Sequence, residues 1–177
     1  MVCAVAVLAG AARAEGVKVS SSQRNALILY NFARFIEWPK SAFADDNAPF
    51  VIAVLGRDPS GRDIDTETIQ GRIIKGHKVK VIHLYTADEV SECHLLFICS
   101  SEIQRLPRIL KRLEKSSILT TAETPDFIEK EGIINLIPEL QPNGTETVGF
   151  EVNLAAATKA HLKLDTQLLK LARKVKS

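Results

Sequence analysis

Tryptophan and methionine occur once each in this chain, cysteine three times, and aromatics make up only 6% of the 177 residues. So few cysteines exclude a disulfide-stapled miniprotein, and the length allows a core that needs neither bridges nor metal. Charge of one sign is also scarce: 23 Lys and Arg against 21 Asp and Glu leave +2. A nucleic-acid binder would present a basic stripe. The one basic cluster, Lys170, Arg173, Lys174 and Lys176, is expected to close a C-terminal helix, where cations complement the helix dipole. No apolar run is long enough to cross a bilayer.

Catalytic signatures are missing as well. The glycines of Gly56-Arg57-Asp58-Pro59-Ser60-Gly61 follow an apolar run, but no Lys-Ser/Thr completes a phosphate loop. There is no Gly-x-Ser-x-Gly elbow. The histidines, His77, His83, His94 and His161, show no metal-ligand spacing, although His83 and His94 fall on neighbouring candidate strands. No catalytic residue, metal or cofactor is therefore expected.

What is present begins with residues 1–14, where an uncharged apolar run over 2–12 leads into Ala12-Arg13-Ala14 before Glu15. This reads as a secretory signal peptide, with an n-region lacking Lys or Arg, and leaves residues 15–177 as one exported domain. Two cysteines then remain, Cys93 and Cys99. On one strand their α-carbons would stand roughly 20 Å apart, too far for a disulfide, so two separate thiols are expected.

Residues 29–39, Leu-Tyr-Asn-Phe-Ala-Arg-Phe-Ile-Glu-Trp-Pro, concentrate the aromatics. Ala26, Leu29, Tyr30 and Ala33 have the spacing of one helix face, and Pro39 predicts a helix that stops at Trp38. Phe32 and Phe35 lie partly off that stripe. Downstream, Phe50–Leu55 and residues 94–100 are continuous apolar runs suited to central parallel strands. Residues 79–84 alternate like a strand nearer the edge. Residues 86–89 have capping-box spacing, and short helices are predicted over 63–70, 107–115 and 125–131, the last stopped by Gly132. Residues 118–122 read as a short strand, and 133–137 with 147–153 as a β-hairpin. Leu164, Leu168, Leu171, Ala172 and Val175 form a helical stripe to the C-terminus. Strands alternating with helices give an α/β fold: a single-domain three-layer α/β/α sandwich. Its mixed, mostly parallel sheet would be closed by a C-terminal antiparallel hairpin. In that hairpin Glu151 and Asn153 share one face. They are either its wet side or a pair that caps or orients a neighbour, for example Glu151 with Arg34.

The stretch Tyr30-Asn31-Phe32-Ala33-Arg34-Phe35-Ile36-Glu37-Trp38-Pro39 resembles the opening signature of the YfiR-like family of periplasmic proteins. The likeness continues through Phe50–Gly56, through 93–98, through Phe150-Glu151-Val152-Asn153-Leu154-Ala155-Ala156-Ala157 and through 167–172. It implies a non-enzymatic periplasmic regulator that binds and represses the periplasmic domain of a YfiN-like membrane-bound diguanylate cyclase and lowers cyclic di-GMP. A YfiB-like outer-membrane lipoprotein would relieve it, and a homodimer is a further candidate assembly. The family prototype is tied to redox control through disulfides; Cys93 matches a family cysteine, but no partner cysteine accompanies it. Phe32, Arg34, Trp38, Pro39, Glu151 and Asn153, with Leu168 as a second candidate, are the expected functional surface. The other reading of the same positions is that they fix the first helix against the last strand. A different class of function, a small-molecule binding or sensory module, would use the crevice at the carboxyl ends of the parallel strands near Gly56, Thr86 and Ser100.

Overall fold

The computed structural model describes residues 20–57, 64, 67–90, 92–142, 144 and 146–177. The signal-peptide assignment for 1–14, the loop at 58–61 and residues 63, 65 and 66 of the helix expected at 63–70 lie outside them. The described end of that segment, 67–71, is a turn.

The first helix, α1 (Ser21–Arg34), starts where Ser20 accepts the Gln23 N–H and the Gln23 side chain answers the Ser20 N–H. This reciprocal capping box satisfies two orphan donors. Ala26, Leu29, Phe32 and Ala33 are its buried apolar positions. The helix ends at Arg34, four residues before the expected Trp38, because Ile36 and Glu37 pair antiparallel with Leu164 and Lys163. That pairing defines strands β1 (Ile36–Glu37) and β9 (Lys163–Leu164). Phe32, placed off the stripe by spacing alone, is in the core, its ring edge-on to Phe150 at 4.9 Å.

The remaining strands are β2 (Phe50–Leu55), β3 (Ile73–Ile74), β4 (His77–Leu84), β5 (Leu95–Ile98), β6 (Leu119–Ala122), β7 (Ile134–Leu140), β8 (Glu146–Asn153) and β10 (Lys174–Lys176). They form a sheet in the order β10-β8-β7-β6-β5-β2-β4-β3. From β4 to β7 all neighbours are parallel; β8 closes it antiparallel to β7, as the hairpin pattern predicts. Two apolar clusters form, one on each face. Ile52, Val54, Leu95, Phe97 and Leu119 meet α1, α3 (Leu154–Lys159) and Leu168 of α4 (Thr166–Leu171). Ala53, Leu55, Leu96, Ile98 and Ala122 meet α2 (Leu106–Leu113) and Phe127. Strands covered on both sides read as unbroken apolar runs, which is why β2 and β5 were legible.

One predicted helix is absent and another is broken up. Residues 125–131 form turns, with Asp126 and Glu131 at positive φ (59° and 71°), a conformation that cannot continue a right-handed helix. Gly132 follows for a packing reason: a Cβ there would collide with the buried Phe127 ring. The C-terminal stripe is divided instead of being one helix. Leu164 is on β9, α4 starts at the Asp165 cap, and Val175 is on β10, parallel to β8. Within the basic cluster Lys170 closes the last turn of α4, but Arg173, Lys174 and Lys176 lie beyond it and close no helix. Lys174 bridges to Glu129, Lys176 to Glu129 and Glu131, and Arg173 to Glu139, pinning the edge strand to the 125–131 turn and to β7.

Candidate functional site

The exposed end of α1 leads into a continuous surface. The guanidiniums of Arg34 and Arg72 lie over the Tyr30 ring, 5.9 and 5.4 Å from its centre, and the Tyr30 hydroxyl donates to the Ile73 carbonyl at 3.0 Å. Cations favour an aromatic face because of its ring quadrupole. Beside them Phe35 is 37% exposed and Ile73 50% exposed. Phe35, Glu37 and Lys75 line one depression; Glu37 and Lys75 also belong to the next, a cleft of about 610 Å³ that includes Trp38, Lys40, Phe43, Asp45, Asp46, Phe50 and His77.

The floor of that cleft is an aromatic stack at the amino ends of β2, β4 and β5. Phe43 is sandwiched between His77 (centres 4.1 Å apart) and His94 (4.3 Å), and Phe50 stacks on His94 and takes the edge of Trp38, each at 4.9 Å. The Trp38 indole N–H donates to the His94 carbonyl at 3.2 Å. His94 Nδ1 accepts the Val51 N–H at 3.0 Å, which leaves its proton on Nε2, 3.0 Å from the Ala42 carbonyl. Burial of the imidazole pushes its pKa below the ordinary histidine value, and His77 adds in the same direction, against the lift from the Ala42 bond. His94 is thus a neutral tie between the 40–49 connector and the sheet. His83 does not meet it, since β2 lies between β4 and β5; spacing could not reveal that interposed strand.

Of the residues expected to form one functional surface, the structure brings Arg34, Trp38 and Pro39 to the α1 end, exposed or half-buried. Phe32, Asn153 and Leu168 are buried, at 5%, 0% and 3% exposure, and support the surface layers from behind. Asn153 caps α3 through the Ala156 N–H at 2.9 Å while its amide donates to the Ile128 carbonyl at 2.8 Å. Glu151 does not reach Arg34. Val152 and Phe150 face α1, so Glu151 projects from the opposite side of the sheet, within the field of Lys174. Tyr30, Arg72, Phe43 and His77 were missed: Arg72 and His77 come from segments forty residues downstream of α1, and only the fold brings them to it.

The two cysteines flank β5, one before it and one after it. Cys93 and Cys99 are buried and no disulfide joins them; Cys93 packs in the α2-side cluster and Cys99 in the α1-side one. Burial pushes the Cys93 thiol up to about 12. No group of three or more His, Cys, Asp or Glu among the described residues could hold a metal. At the carboxyl ends of the strands, Gly56 has φ +87° and the side chains of Ser101 and Glu102 fill the space over it. Glu102 itself is buried and paired with Arg105 at 3.2 Å.

The α/β domain thus presents an Arg-Tyr-Phe surface beside a cleft floored by stacked aromatics. The chain belongs to the YfiR/HmsC-like family, whose model matches residues 22–173, and that family is regulatory in character. No curated protein matches the chain. Among solved structures it is similar to a conserved domain protein from Vibrio cholerae O1 biovar El Tor, with a TM-score of 0.54 and 10% identity. It is also similar to an ABC domain in complex with L-Trp from Streptococcus pneumoniae, with a TM-score of 0.53 and 12% identity. Each alignment covers 88% of this chain and 60% of the other, so the chain spans less than two thirds of these structures, and the likeness is one of fold.

Proposed function

We propose that this chain is a periplasmic regulatory protein without catalytic activity. It binds the periplasmic domain of a YfiN-like membrane-bound diguanylate cyclase and holds that enzyme in its inactive conformation. Family membership supports the signalling theme. The observation that carries the binding reading is the α1-end surface, where Arg34, Arg72, Tyr30, Phe35 and Ile73 combine the residue types that dominate interface energetics. Two guanidiniums over one ring favour an acidic, partly apolar patch on the partner. Repression then follows from population shift: the regulator lowers output only to the extent that it prefers the inactive receptor.

Deleting the gene tests this directly. Cyclic di-GMP should rise and return to its former level when the intact gene, but not an Arg34→Glu/Phe35→Ala version, is restored. Unchanged cyclic di-GMP on deletion would sink the proposal. Fractionation should find the protein in the periplasm.

A further inference from the structure

A second cleft shares no residue with the α1-end surface. It has a volume of about 390 Å³ and lies between α2 and α3, within the range of small-ligand pockets. Its walls are Leu110, Leu113, Ile118, Ile133, Ala156 and Ala160. One buried polar group opens into this apolar lining. Thr120 is 4% exposed, and its oxygen accepts the Ile133 N–H at 3.1 Å, which leaves the hydroxyl proton as a donor for an occupant. The rim carries three lysines, Lys111, Lys130 and Lys159, against two glutamates, Glu114 and Glu131. Glu131 is committed to Lys159 at 2.9 Å and to Lys176 at 3.6 Å. Among the described residues the Lys130 ammonium donates to the Pro125 carbonyl alone, at 3.4 Å. The rim thus retains cationic donors beside an apolar hollow.

We infer that this cleft binds a medium-chain aliphatic carboxylate, with its tail along Leu110, Leu113 and Ala160 and its head between the Thr120 hydroxyl and the Lys111 and Lys130 ammoniums. A carboxylate has lone pairs enough for a hydroxyl and an ammonium together, and charge-assisted bonds are the stronger kind. An alkylammonium of equal length would bring its charge against the lysines. The inference is independent of the cyclase proposal, since binding is read on the isolated chain.

Octanoate, monomeric at millimolar concentration, is the probe. Titrated into the full chain, it should raise Tm in a saturable way and bind with one-to-one stoichiometry by calorimetry. Octylammonium should do neither. Exchanging the exposed rim charges in Lys111→Glu/Lys130→Glu should weaken octanoate about tenfold, each exposed pair contributing a few-fold. Ala160→Leu, which fills the hollow, should abolish binding with the far-ultraviolet circular dichroism unchanged. No rise in Tm with octanoate, equal binding of octylammonium, or unaltered affinity in the charge-exchanged variant would each overturn the inference. The last does so even if Ala160→Leu fails to fold.

Discussion

His94 accepts the Val51 N–H through Nδ1 at 3.0 Å, and so a side chain stands in for a sheet partner at the entrance to β2. An imidazolium has no lone pair to offer, so protonation would break this bond and strand a charge beside Phe43 and Phe50. Because the folded pKa lies below the unfolded value of about 6.5, the unfolded chain takes up the proton first as pH falls. His94 therefore costs nothing above about pH 6.5 and destabilises the fold progressively below it. Urea titrations between pH 7.5 and 5 should show falling stability, and His94→Gln should flatten that slope. An equal slope in the variant would place the effect elsewhere.

Asn153 performs two tasks from a fully buried position, capping α3 and donating to the Ile128 carbonyl. Asn153→Ala should cost about 1.5–5 kcal/mol, the sum expected of a lost cap and an unpaired buried carbonyl. Asn153→Asp keeps the cap acceptor but loses the donor, and should fall between wild type and alanine in chemical denaturation.

Cys93 and Cys99 should resist thiol reagents at pH 8, because burial holds the Cys93 thiol at about 12 and hides both sulfurs. Reaction should follow unfolding in urea. Mild oxidant should produce no link between them, since they pack on opposite faces of the sheet; mass spectrometry of the oxidised, folded chain checks this.

Surface and support should separate by mutation. Arg34→Glu should leave Tm within a degree or two of wild type while abolishing capture by the isolated cyclase domain. Leu168→Ala, at a buried site, should lower stability by about 2–5 kcal/mol. Its binding at low temperature should persist while the chain is folded. Loss of binding in neither variant would remove the α1 end from the interface.

Trp38 gives a spectroscopic handle. Trp38→Phe removes the indole bond to the His94 carbonyl and should cost about 1 kcal/mol. As the chain's one tryptophan, it should also report acid opening of the connector by a fluorescence change that His94→Gln no longer shows.

By itself the sequence determined the layers of this protein. The apolar runs of β2 and β5, the stripe of α1 and the strand patterns of the β7–β8 hairpin follow from side-chain period and local conformational preference, which act over a few residues. Sequence blocks were likewise enough to show the family resemblance. Tertiary structure decided where those preferences were overruled. Ile36 leaves the helical path to pair with Leu164, and Val175 abandons an equally good helical stripe to cover the edge of β8. It also decided which distant residues meet, bringing Arg72 to Tyr30 and His77 to Phe43. The physical reason is that strand pairing and aromatic stacking are contacts between segments far apart in the chain, so their energy appears in no local pattern and is gained only when the sheet closes.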